Sequence, residues 1–151
     1  AVGIYTSVFG IGTILGGIIG GPMMRKIGEK KSIYFAVVFT SLVTFALALI
    51  PSAGFLWVVV FLFGFAFGYY ETVYFAMGMD FADPRIAAFM FSIIMAVGNF
   101  GIAAGQPLAG GLVERMGFKS MFLVFAIIHL LAIPFVFLIF KLRRAEKVLA
   151  S

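Results

Sequence analysis

Five continuously apolar runs dominate the sequence and leave few folds open to it. They cover about residues 1–23, 33–50, 55–78, 86–110 and 120–140. A helix needs about 20 apolar residues to cross a hydrocarbon layer of about 30 Å, and each run has roughly that length. The runs do not alternate at period two, and a lipid-facing sheet edge would leave backbone groups unpaired, so strands are disfavoured. The sequence therefore predicts an all-α membrane domain over 1–140 with five transmembrane helices.

Charge and reactive side chains are scarce enough to exclude several classes of protein. Only 11% of the residues are charged, against about 25% in an ordinary soluble domain, which excludes a water-soluble fold. The absence of cysteine removes disulfides and thiolate metal sites. His129 is the one histidine and has no acid near it in sequence, so we favour a packing residue over the alternative of a proton relay. We expect no metal and no cofactor.

The basic residues indicate the orientation of the chain in the membrane. Successive connections alternate sides, and one side receives nine of the eleven basic residues: Arg25, Lys26, Lys30, Lys31, Arg85, Lys141, Arg143, Arg144 and Lys147. The other side receives Arg115 and Lys119. The positive-inside rule makes the first side cytoplasmic, so residues 141–151 are predicted to form a cytoplasmic basic tail. The net charge of +5 then reflects topology and does not indicate nucleic acid.

A short motif occurs twice, at the ends of the first and fourth predicted helices. The first copy contains Gly21, Arg25, Lys26 and Gly28, and the second contains Gly110, Glu114, Arg115 and Gly117; the copies align without a gap. They lie three helices apart, which places them on opposite sides of the membrane. A glycine followed by charges is also an ordinary helix stop. Two copies at matching offsets favour an inverted-topology repeat.

Three-helix inverted repeats within six-helix halves are typical of major facilitator superfamily transporters, and the chain resembles that family. The second copy is similar to the family's loop signature, Gly-x-x-x-Asp-Arg-x-Gly-Arg-Lys. The first copy departs from it, with Arg25 in the acidic position. Such departures are more usual in the carboxyl-terminal half of the family, so the resemblance implies helices eight to twelve of twelve, with the amino-terminal half missing here. A weaker resemblance, over residues 79–88 and 99–101, is to the muropeptide and acetyl-CoA transporter branch.

The resemblance implies a secondary active transporter that moves a small solute across a lipid bilayer by alternating access. We expect proton coupling, as a symporter, and residence in the plasma (inner) membrane with the carboxyl terminus in the cytoplasm. The motif residues would belong to gating loops. Substrate identity is not predicted, because one fold serves many solutes.

Glu71 is the acid that lies deep within a predicted helix. An ionisable group at such depth costs on the order of 3 kcal/mol unless it faces a cavity or a partner. The hydroxyl-bearing rings Tyr70 and Tyr74 are close to it in sequence. We predict a substrate or proton-coupling site at these residues, in which Glu71 takes part in proton coupling or binds a cationic group of the substrate. The alternative is that Glu71 only locks helix packing.

Asn99 and Gln106 extend this predicted site to the fourth helix. Together with Ser92 they recur every seven residues, which places three polar side chains on one side of the helix. Such a stripe faces protein or water and not lipid. Hydrogen bonds between helices explain it as well as substrate contact does.

Two other classes of function remain open from the residues alone. An intramembrane enzyme would need a nucleophile with a base or a metal-binding pair such as His-Glu-x-x-His, and neither occurs, so we predict that the protein is not an enzyme. A non-transporting membrane scaffold would need no buried carboxylate. Transport with and without Glu71 separates the scaffold from a carrier.

Overall fold

The computed structural model describes residues 2–49, 53–80 and 82–149, with side chains described over 3–49, 54–80 and 82–142. Within those residues the chain is helical and contains no strand. The elements are α1 (Val2–Ile27), α2 (Glu29–Ala48), α3 (Ala53–Asp80), a 3-10 turn (Pro84–Ile86) and α4 (Ala87–Leu149). Each of the four α-helices is long and apolar enough to cross a membrane. The predicted all-α membrane fold is confirmed.

Helix α4 contains the last two of the five predicted crossings. It is 63 residues long, and Gly117 leaves the helical conformation within it, at φ 78° and ψ 168°. The segment before Gly117 runs antiparallel to α3, and Gly78 packs there against Ile94. The segment after it runs antiparallel to α2, where the Ser41 hydroxyl donates to the Ala126 carbonyl at 2.7 Å. Since α2 and α3 are themselves antiparallel, the chain reverses direction at Gly117.

The turns between helices are much shorter than the sequence suggested. The predicted helix bounds leave connections at about 24–32 and 111–119, whereas in the structure Gly28 and Gly117 alone make the turns. Arg25 and Lys26 stay in the last turn of α1, where cations favour the negative end of the helix dipole. The helix also continues to Leu149, past the predicted start of the tail at 141. The predicted connection over 51–54 lies mostly outside the described residues.

The two turn glycines adopt nearly the same backbone conformation. Gly28 has φ 87° and ψ 154°, close to the values of Gly117, and no other described residue has a positive φ. This region of φ and ψ is open essentially to glycine alone. The two residues hold equivalent positions in the sequence motif, so the same chain reversal is made in the same way at both copies. The backbone thus supports the inverted repeat.

Helices α1 and α3 run parallel and approach closely. Gly12 and Gly16 of α1 lie against the α3 backbone, and Gly64 and Gly68 of α3 lie against the α1 backbone. A side chain at any of the four would collide with main-chain atoms of the neighbour. Small residues allow this close approach. In lipid the hydrophobic effect does not drive helices together, so the van der Waals contacts of close packing stabilise the pair instead.

A buried pair of hydroxyls links α2 to α3, whereas the Thr40 hydroxyl on α2 has no hydrogen-bond partner among the described residues. The Ser32 hydroxyl is hydrogen-bonded to the Tyr69 hydroxyl, and both residues are buried. Around this pair Ile33, Val73 and Val136 form an apolar cluster. A buried unpaired hydroxyl would cost about 1–3 kcal/mol, so the hydrogen bond fixes the register of α2 on α3.

A charged turn joins α3 to α4. Asp83 accepts hydrogen bonds from the Arg85 backbone N–H at 2.9 Å and from the Arg85 guanidinium at 2.7 Å. These hydrogen bonds hold the pKa of Asp83 below its ordinary value, and the one from the Arg85 side chain has the larger effect. Both groups are exposed, as expected of a turn in the headgroup region or in water.

Candidate functional site

A cavity of about 410 Å³ opens between α3 and the first segment of α4. Its lining residues come from both helices: Phe67, Tyr70, Glu71, Tyr74 and Phe75 from α3, and Met95, Val97, Gly98, Asn99, Gly101 and Ile102 from α4. Small-molecule sites in proteins have volumes of about 300–1,000 Å³. The cavity therefore has the size of a ligand site.

The cavity exists because the two helices touch at one end only. Near the connecting turn, the Ile94 side chain packs against Gly78, and the ring centroids of Phe75 and Phe91 lie 5.7 Å apart. Farther along α4, nothing lies within 4 Å of the position that a Cβ would take at Gly98 or Gly101. The helices thus diverge from the turn, and the glycines leave the space between them open.

Glu71 is the one charged residue among the described residues that line this cavity. It lies about two-thirds of the way along α3 and is neither fully buried nor fully exposed. The rings of Tyr70 and Tyr74 on the same helix are parallel, with 6.4 Å between centroids. The Asn99 amide on α4 lines the opposite wall. An ionised carboxylate only accepts hydrogen bonds, a protonated one also donates, and an amide does both.

Four of the five predicted substrate or coupling residues line this cavity, namely Glu71, Tyr70, Tyr74 and Asn99. Gln106 does not line it, and its side chain is exposed. It lies two helical turns past Asn99, about 10 Å farther along the axis. The structure thus groups the residues in space, while their role remains a proposal.

Sequence reasoning missed most of the α4 wall. Met95, Gly98 and Ile102 line the cavity with Asn99, and their spacing of three and four residues places them on one helix face. The polar side chains that recur every seven residues predicted instead a face of α4 that contains Ser92 and Gln106. The Ser92 hydroxyl donates to its own helix, to the Ala88 carbonyl at 3.0 Å. The sequence signal that could have predicted this wall is the set of apolar residues spaced three and four apart around Asn99.

The predicted gating residues lie at the helix ends, away from the cavity. Arg25, Lys26, Glu114 and Arg115 are exposed beside the two turn glycines. Arg115 also borders a hollow of about 300 Å³ formed by residues of α4 alone. Their positions agree with charged turns on opposite sides of the membrane.

Potential metal ligands are not clustered in the described part of the chain. No group of three or more His, Asp or Glu side chains comes together there. His129 uses its Nδ1 for a hydrogen bond of 2.9 Å with the Phe125 carbonyl of its own helix. This contact agrees with the interpretation of His129 as a packing residue.

The fold and the cavity define a multi-spanning helical membrane protein with one carboxylate facing a space between its helices. A family model described as Major Facilitator Superfamily matches residues 1–151. The chain belongs to this family of membrane transporters, which carry small solutes and are not enzymes. No curated protein and no solved structure matches the chain. The narrower resemblance to the muropeptide and acetyl-CoA transporter branch is therefore not confirmed.

Proposed function

We propose that the protein is a proton-coupled secondary transporter that moves a small solute by alternating access, with the α3–α4 cavity as part of the pathway. The observation that carries the proposal is the position of Glu71. It is a carboxylate in the interior of a membrane-spanning helix, and it borders a cavity of ligand size. A packing residue would be expected between helices, whereas Glu71 borders open space.

The proposed coupling uses the effect of water on a carboxylate. Withdrawal from water favours the neutral form of an acid, and contact with water favours the charged form. When the cavity is open to one side, water reaches Glu71 and the group can release or take up a proton there. When the cavity closes, the protonated form is favoured. The same group can thus exchange protons with both sides in turn.

One carboxylate serves either sense of coupling. In a symporter, the expectation from sequence, the solute binds beside protonated Glu71 and is held by hydrogen bonds that Asn99 can also provide. In an antiporter, the solute displaces the proton. The family's architecture supplies the other wall of such a pathway from the remaining helices, so the partner that we propose for this chain is the amino-terminal half of the same transporter.

The proposed orientation rests on the distribution of basic residues. Arg25, Lys26 and Arg85 lie at one end of the helix bundle, and Arg115 and Lys119 lie at the other. The positive-inside rule then places the carboxyl terminus in the cytoplasm, and we propose the plasma (inner) membrane as its location.

Uptake into proteoliposomes tests the proposal. Vesicles that contain the wild-type protein, Glu71→Gln or Glu146→Gln receive a mixture of small solutes under an imposed proton gradient of either direction, and mass spectrometry measures their contents. The wild-type protein and Glu146→Gln, a matched acid-to-amide control near the carboxyl-terminal end of α4, should concentrate the same solute. Glu71→Gln should only equilibrate it. The direction of gradient that drives accumulation distinguishes symport from antiport.

Two results of this assay would contradict the proposal. If the wild-type protein concentrates no solute under either gradient, the non-transporting scaffold is the better account. If Glu71→Gln concentrates solute as well as the wild-type protein does, Glu71 is a packing residue.

A further inference from the structure

We propose that the cavity takes an organic cation, a solute with one positive charge beside an apolar or aromatic group, and exchanges it for a proton at Glu71. The inference rests on the proposed transport function and narrows it to one class of substrate. It follows from which charges and rings border the cavity, and which do not.

The charge of the cavity favours a cation. Glu71 is the one ionisable acid on its described lining, and no Lys, Arg or His lines it. An anionic solute would meet a negative group and no compensating positive one. Arg85, at the turn beyond the end of α3, does not line the cavity and is held by Asp83, with 2.7 Å between the charged atoms. A single positive charge on the solute would be matched by the single carboxylate.

Aromatic rings flank the carboxylate along α3. Phe67 lies one turn before Glu71, and Tyr74 and Phe75 lie one turn after it, so rings border the carboxylate on both sides. The face of an aromatic ring attracts a cation within about 6 Å, and more strongly where water is displaced. A carboxylate between aromatic rings is chemistry that suits a substituted ammonium group.

The volume and the opposite wall fit the same class of solute. About 410 Å³ holds a small amine with its aromatic or aliphatic substituent. Met95, Val97 and Ile102 offer that substituent an apolar surface, and the Asn99 amide can accept a hydrogen bond from an ammonium N–H. The α4 wall thus adds apolar contact and one polar group, with no second charge.

Exchange follows if a cation and a proton compete for one group. The other titratable residues facing the cavity are Tyr70 and Tyr74, and the α4 wall contributes none. The α1 residues packed on α3 at this level are Thr13, Gly16, Gly17 and Gly20, which do not titrate. From α2, Tyr34 packs against the same buried cluster as Tyr70. When the solute binds, the Glu71 proton leaves to water, and when the solute leaves, a proton returns. One charge thus moves each way, in place of the predicted symport.

Binding to the protein in lipid nanodiscs tests this, with calorimetry as the readout and empty nanodiscs as the blank. The probes are benzyltrimethylammonium, whose charge is permanent, and N,N-dimethylbenzamide, which is neutral and of similar size. The wild-type protein and Glu146→Gln should bind the cation at least about tenfold more tightly than the amide. Glu71→Gln should remove that preference. Tyr74→Leu should weaken binding of the cation more than binding of the amide.

The pH dependence of the wild-type protein gives a test that needs no variant. Because the probe keeps its charge at every pH, weaker binding on acidification reports protonation of the protein, and this dependence should vanish in Glu71→Gln. Equal binding of the two probes, or a cation preference that survives in Glu71→Gln, overturns the inference. If proteoliposomes concentrate only a neutral or anionic solute, the inference fails and the transport function stands. If they concentrate nothing although the cation binds, the transport function fails.

Discussion

Replacement of Gly68 by alanine should separate α1 from α3. An added Cβ would lie 2.8 Å from the carbonyl carbon of Thr13 and closer still to its oxygen, whereas ordinary contacts begin at 3.4 Å. Main-chain atoms cannot rotate away, so the helices must move apart by about half an ångström or more. Overpacking of this kind costs about 1–3 kcal/mol.

Gly105→Ala provides the matched control for this change. Gly105 lies within α4, and nothing stands within 4 Å of its Cβ position. Both replacements gain up to about 1 kcal/mol of helix propensity, so this contribution cancels in the comparison. Unfolding in detergent, followed by denaturant titration, should show Gly68→Ala less stable than Gly105→Ala by about 1–3 kcal/mol. Equal stability of the two variants would refute the close approach of the helices.

Three further changes test the turns, the buried polar pair and the orientation. Gly117→Ala should lose about 1–3 kcal/mol in the same unfolding assay, because its positive φ with extended ψ suits glycine alone; unchanged stability would argue against this turn. Tyr69→Phe should lose about 1–3 kcal/mol by leaving the Ser32 hydroxyl unpaired, and adding Ser32→Ala should restore part of the loss; no recovery would dismiss the pair. An impermeant thiol reagent outside the cell should label Ser52→Cys, a position outside the described residues, and not Asp83→Cys; the reverse would invert the topology.

Much of the fold could be predicted because lipid imposes a simple rule on sequence. Apolar runs of about 20 residues must be helices, since the backbone has to satisfy its own hydrogen bonds. The same rule could not locate the turns. Arg25 and Lys26 appear loop-like by polarity, yet they remain in α1, and Gly28 alone makes the reversal. Backbone freedom at one glycine, and not charge, decided where each helix ends.

The candidate site could be predicted on α3 and only in part on α4. Glu71 is conspicuous because its burial in lipid is costly, and Tyr74 shares its face. On α4 the space of the cavity is left open by Gly98 and Gly101, which have no side chains. Polar residues in the sequence do not indicate such positions. The polarity of Asn99 made it predictable from the sequence. To predict its apolar neighbours, one would have to know how the two helices are rotated relative to each other, which one sequence does not specify.

Accessibility of the cavity from the two sides of the membrane tests the central claim most directly. The natural chain has no cysteine, so Asn99→Cys and the buried control Ala126→Cys each carry one thiol. An impermeant thiol reagent is applied to sealed vesicles of each orientation, and retention of a proton gradient by the same vesicles excludes an open pore. Alternating access predicts that Asn99→Cys reacts from both sides and Ala126→Cys from neither. Reaction of Asn99→Cys from one side only, or from neither, would contradict the claim that this cavity lies on a transport pathway.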